Sequence, residues 1–117
     1  MNIESFRSYC LGKRGVTEEF PFGEHTLVFK VMGKMFALTN IEHFDGINLK
    51  VDPEEGAELR EHHEAVLPAY HMNKTHWITV RMDGRIPDQL VRSWIDKSYW
   101  LVVQRLPKSI RSSMDSL

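Results

Sequence analysis

The chain has one cysteine, Cys10. No intrachain disulfide can form, and no zinc centre can be built on cysteine ligands. Long apolar runs are missing too. None approaches the roughly 18 residues that a membrane-spanning helix requires, so no membrane partner is expected. The opening stretch, MNIESFRSYCLGKRG, has polar residues every few positions and no signal-like apolar core; a cytoplasmic location is expected. Neither sign of charge dominates: 15 Lys and Arg face 16 Asp and Glu. The resulting pI, near 6.6, weakens any reading as a protein that grips nucleic acid by overall charge. No phosphate-cradling glycine loop is present, because the glycines are scattered among turns.

What is present suits one domain. A length of 117 residues, 42% of them apolar, is enough to bury one core without staples. Ile3, Phe6, Cys10 and Leu11 recur at helical spacing and predict a helix from Asn2 to Gly12. VTEEFPFGEH reads as a loop, because Pro21 and Gly23 break it. From Thr26, the residues Leu27, Phe29 and Val31 alternate with Val28 and Lys30, which predicts a strand. A hairpin tip at Met32–Lys34 joins it to MFALTN. In GINLKVD, Ile47, Leu49 and Val51 point inward. Asp52 as N-cap and Pro53 as first helical residue open a second helix, which runs to about His62. AVLPAYHMNKTHWITVRMD reads as another hairpin with its loop at Met72–Thr75. Pro87 and Asp88 open the last helix, where Leu90, Val91, Trp94, Ile95, Ser98 and Val102 form a wide apolar stripe. Pro107 ends it. Residues 1–108 are read as one domain, and 109–117 as a polar, frayed tail. The expected order is α-β-β-β-α-β-β-α, a two-layer α+β sandwich with helices on one face of an antiparallel sheet.

Polar chemistry concentrates in AYHMNKTHW. Asn73 and Lys74 suit an outward turn. His71 and His76 flank them, but two histidines do not make a closed metal site, and no metal or cofactor is expected. His76 shares a face with Ile78 and Val80, which suits a half-buried, hydrogen-bonded ring. Trp77 is expected to cover the sheet edge or pack under a helix. The two hairpin tips carry Lys34 and Lys74. Lys13, Arg14, Arg105, Lys108 and Arg111 extend a basic surface if the fold brings the chain ends together. The acidic segment DPEEGAELREHHE must then face elsewhere.

FPFGEHTLVFKVMGKMFAL, INLKV, AYHMNKTHWITV and SYWLVVQRLPK resemble, in that order from Phe20 to Lys108, the MmcQ/YjbR family of small bacterial proteins. The most specific part is His71-x-Asn73-Lys74-x-His76-Trp77. The resemblance implies a compact domain related to the secretion-chaperone-like or CyaY-like folds. It also implies a DNA-binding function through a double-wing hairpin arrangement, and it carries no catalytic activity onto these positions. Lys34 and Lys74 are then expected on phosphate, Asn73 at a base edge and His71 beside them, with His76 and Trp77 structural.

Other readings compete. A protein- or peptide-binding module would use exposed strand edges and a tryptophan anchor, and Trp100 falls beside the main helical stripe. An enzyme ranks below both. Cys10 lies on an apolar helix face, Ser98 sits in a helix with no nucleophile-elbow context, and the carboxylates Glu18, Glu19 and Glu24 belong to a loop.

Overall fold

The structure, a computed structural model, describes residues 1–117. Its elements are α1 (Ile3–Leu11), β1 (Val16–Glu19), β2 (Thr26–Val31), β3 (Lys34–Asn40), β4 (Gly46–Lys50), α2 (Pro53–His62), β5 (Val66–Pro68), β6 (Trp77–Arg81), α3 (Asp88–Gln104) and α4 (Lys108–Met114). Six antiparallel strands form one sheet in the order β1-β2-β3-β4-β6-β5. α3 crosses β3 and β4, α1 lies against β1, and α2 lies against β5.

Local chemistry explains most of these elements. Asn2 caps α1: its side-chain oxygen accepts from the Ser5 N–H, and the Ser5 hydroxyl answers the Asn2 N–H. Asp52 caps α2 through the Glu55 N–H. Met32 and Gly33 both take positive φ, 49° and 86°, as a tight hairpin turn between Val31 and Lys34 requires. The alternation in β4 and β6 puts Ile47, Leu49, Ile78 and Val80 fully inside.

Two segments differ from the sequence expectation. Val16–Glu19, expected in a loop, is an edge strand paired with β2. It is short and half polar, so its own pattern is weak; ion pairs from Arg7 to Glu18 and from Lys30 to Glu19 fasten it. The tail expected to fray forms α4. Met114 is buried and Ile110 packs on the core one turn earlier, a two-residue apolar face among serines. Met114 also touches the position where a side chain at Gly15 would project.

A bulge at Phe36 organises the centre. Phe29 faces Ala37 and Lys30 faces Met35, so Phe36 is the extra residue. Its ring turns into the core edge-on to Tyr99, centroids 5.5 Å apart. The β3–β4 ladder runs from Thr39–Ile47 to Ala37–Leu49. The next pair would be Phe36 and Lys50, but a side chain from α3 stands between them. The fully buried Ser98 Oγ donates to the Phe36 carbonyl at 2.5 Å and accepts from the Lys50 N–H at 2.8 Å.

The helix-free face is not bare. Val28, Leu38, Ala69 and Trp77 make a small second core there, with Met35 and Met72 packed on it. The β5–β6 connection is longer than Met72–Thr75: it spans Ala69–His76 and folds back over this face. Trp77 therefore packs on the side away from the helices, not under one.

Three substitutions test these assignments. Ser98→Ala strands two buried backbone groups at once, and a loss of about 2 kcal/mol is expected in denaturant melts. Trp77→Ala is expected to cost on the order of 3 kcal/mol. Lys74→Ala, on the exposed loop, should cost about 0.5 kcal/mol or less. Equal losses for Trp77→Ala and Lys74→Ala would contradict the second core.

Candidate nucleic-acid interface

The antiparallel order puts the β2–β3 turn, the end of β4, the start of β6 and the C-terminus of α3 at one end of the molecule. Gly15 joins them, since its carbonyl accepts from the Met32 N–H. This end collects cations.

Lys34 opens β3, Lys50 closes β4 and Arg105 caps α3. All three line one recess of about 130 Å³ with Val102, Leu106 and Pro107. None of the three pairs with a carboxylate, although other cations of the chain do. Lys50 shows the consequence. Burial, then Arg105, then Lys34 hold its ammonium below the ordinary lysine pKa. Its Nζ also lies 5.9 Å from the Trp77 ring centroid.

Across the last turn of α3 lies a larger cavity, about 560 Å³, lined by Lys13, Arg14, Arg111, Tyr99 and Trp100 among others. The chain ends do meet here. Lys13 is bound to Asp96 at 2.5 Å, and Asp115 also lines the cavity. Arg14 has no carboxylate; its guanidinium reaches only the Met114 carbonyl, at 3.5 Å. The Tyr99 hydroxyl donates to the Arg14 carbonyl at 2.5 Å, and burial raises the Tyr99 pKa. Trp100 stands edge-on to Tyr99, 5.5 Å between centroids, and is 56% exposed.

The AYHMNKTHW residues divide. Asn73 Oδ1 accepts from the N–H groups of Thr75 and His76 at 2.8 and 3.2 Å, so the turn consumes its acceptor and leaves its amide N–H₂. Lys74 is exposed, its Nζ 6.0 Å from the Tyr70 ring centroid. His71 takes φ 67° and lines a cavity on the helix-free face, which His76 does not. The ring of His76 is half-buried, but Nδ1 has no partner, unlike the hydrogen-bonded ring expected; the residue is held by its backbone, whose carbonyl accepts from Val51. No three His, Cys, Asp or Glu side chains gather at metal-binding geometry. Cys10 is fully buried, and burial pushes its thiol up to about 12.

The sequence singled out Lys34 and Arg105 but not Lys50, which reads as an ordinary outward residue of β4. The three come together at the ends of β3, β4 and α3, which the Ser98 hydroxyl joins. Lys34 and Lys74 lie on connections at the same end, yet Lys34 joins the recess beside α3 and Lys74 the loop over the opposite face.

Comparisons with known proteins agree with this architecture. The chain is 33% identical to the uncharacterised Escherichia coli protein YjbR over 118 residues, all of both chains. It is 40% identical to the uncharacterised Escherichia coli protein YbdF over 90 residues, 76% of this chain and 74% of that one. A crystal structure of a Deinococcus radiodurans DUF419-domain protein superposes with a TM-score of 0.91 at 40% identity, covering 97% of this chain and 88% of that one. A Pseudomonas syringae crystal structure gives 0.73 at 31% identity, covering 86% and 98%. The YjbR family model matches residues 11–101, and with these relatives it shows that the chain belongs to the YjbR family.

Proposed function

We propose that this protein binds nucleic acid, DNA above all, through its basic end. The observation that carries the reading is the recess of Lys34, Lys50 and Arg105, three cations held together with no carboxylate among them. Like charges are brought together at a cost that a phosphate would remove. The neighbouring cavity adds Arg14 and Arg111 beside the exposed Trp100, a combination of backbone cations and a stacking surface that suits an unpaired strand. Lys74, on the loop over the opposite face, would add a phosphate contact, with Asn73 and His71 beside it on the helix-free face. The acidic helix α2 packs against β5, and although it starts three residues after Lys50 and Glu55 shares a neighbouring recess with Lys50, Glu55 is bound to Lys97. The unpaired cations of the recess, not net charge, carry this reading, so affinity should be modest and steeply salt-dependent.

Fluorescence anisotropy with single- and double-stranded oligonucleotides, from low to moderate salt, tests this. Replacing Lys34, Lys50 and Arg105 with Gln should weaken binding and flatten the salt slope by about one unit for each phosphate no longer neutralised. Trp100→Ala should weaken single strands by roughly 1–3 kcal/mol and duplexes less. Absence of binding to either form at high micromolar protein and low salt would sink the proposal.

A further inference from the structure

The cavity on the helix-free face differs in chemistry from the basic end. It measures about 550 Å³, a size that suits a small organic ligand. Two rings stand at it, Phe22 from the β1–β2 loop and Tyr70 from the β5–β6 loop, 63% and 60% exposed. Met35, Leu38 and Met72 supply the apolar wall, and no carboxylate, ammonium or guanidinium lines it.

Three of its polar residues, the asparagines, share one feature; Thr26, Thr39 and His71 line it as well. Asn48 Oδ1 accepts from the Thr79 hydroxyl at 2.5 Å. Asn40 Oδ1 accepts from the N–H groups of Glu42 and His43 at 2.8 and 3.1 Å. Asn73 Oδ1 is taken by its own turn. All three asparagines line the cavity, and each has its oxygen committed and its N–H₂ without a protein acceptor. The cavity therefore offers donors and aromatic faces, with the His71 imidazole beside them and no lysine, arginine or carboxylate. A cation would find no carboxylate there, and an anion no lysine or arginine. A flat neutral ring bearing carbonyl or ring-nitrogen acceptors matches both surfaces: faces against Phe22 and Tyr70, edge against the amides.

We propose that this cavity binds an uncharged heteroaromatic ring of the nucleobase class. The ring can belong to a free nucleoside. It can also belong to an unpaired nucleotide of a bound strand, since Met35 on the cavity wall directly follows Lys34 of the basic recess; in that case the site deepens the nucleic-acid reading and rests on it.

The test uses amide and side-chain N–H₂ resonances of the full chain in titrations with adenosine, guanosine, cytidine and uridine, which carry no phosphate. Saturable shifts at Asn48 and at Tyr70–Asn73 are expected for at least one of them. Tyr70→Ala, an exposed change that leaves the fold intact, should weaken that binding by about five-fold. Asn48→Leu should weaken it by a similar factor, about five-fold for one hydrogen bond, with its melting curve recorded alongside. The variant with Gln at positions 34, 50 and 105 should bind the nucleoside unchanged while losing oligonucleotides. An oligonucleotide that shifts both the cavity and the basic end identifies a strand as the source of the ring; one that leaves the cavity unmoved identifies the free nucleoside. No shift by any nucleoside at millimolar concentration, or shifts centred on Trp100, would overturn the proposal, and an oligonucleotide still bound at the basic end would then leave the nucleic-acid reading standing.

Discussion

The Ser98 hydroxyl lies where two strands would otherwise close on each other. It takes the place of the direct bond between Phe36 and Lys50, serving both backbone groups from a helix. A buried carbonyl and a buried N–H are each costly to leave unpaired, so the hydroxyl ties α3 to β3 and β4 at a fixed height and rotation. The bulge at Phe36 and the edge-on contact of its ring with Tyr99 belong to the same joint. Because the ladder stops there, the ends of β3 and β4 meet the C-terminus of α3. Lys34, Lys50 and Arg105 are the residues at those three ends.

The two faces of the sheet consequently do different things. One is sealed by helices over a continuous apolar core. The other is half covered: the Ala69–His76 connection folds onto Val28, Leu38 and Trp77 and leaves the rest open. Lys50 is half-buried in its recess at the end of the sheet. Cations gather where the strands splay, whereas the uncharged cavity spans the pleated surface beyond. A chain with near-balanced charge thus presents a basic end without being a basic protein.

Much of this was legible in the sequence where a local pattern carries it. Leu27, Phe29 and Val31, then Ile47 and Leu49, then Ile78 and Val80 each announce a strand by strict alternation, and Asp52-Pro53 announces a helix. The stripe through Val91, Trp94, Ile95, Ser98 and Val102 names the covering helix, but it counts Ser98 as one more stripe residue and does not show the two backbone groups its hydroxyl serves. Other features depend on contacts between distant segments. β1 has too few apolar residues to stand alone and exists through its pairing with β2. α4 shows only Ile110 and Met114. Val28 reads as a residue of the second strand face and Trp77 as one that covers the sheet edge or packs under a helix; only the folding back of Ala69–His76 shows them packed together. Among candidate site residues, Lys34 and Lys74 follow from hairpin tips, but the role of Lys50 follows from a bulge and a helix hydroxyl that no short window reveals.

Everything proposed for the basic end depends on Lys34, Lys50 and Arg105 forming one strained cationic group that a phosphate would relieve. The direct measurement is the titration of the Lys50 ammonium by heteronuclear NMR, with and without a bound oligonucleotide. In the free protein its pKa should lie below the ordinary lysine range, because burial and its two cationic neighbours disfavour the charge. It should move up when Arg105 is replaced by Gln, and up again in the wild-type protein when phosphate groups occupy the recess. An ordinary lysine titration in the free protein, unchanged by Arg105→Gln and by the oligonucleotide, would contradict it.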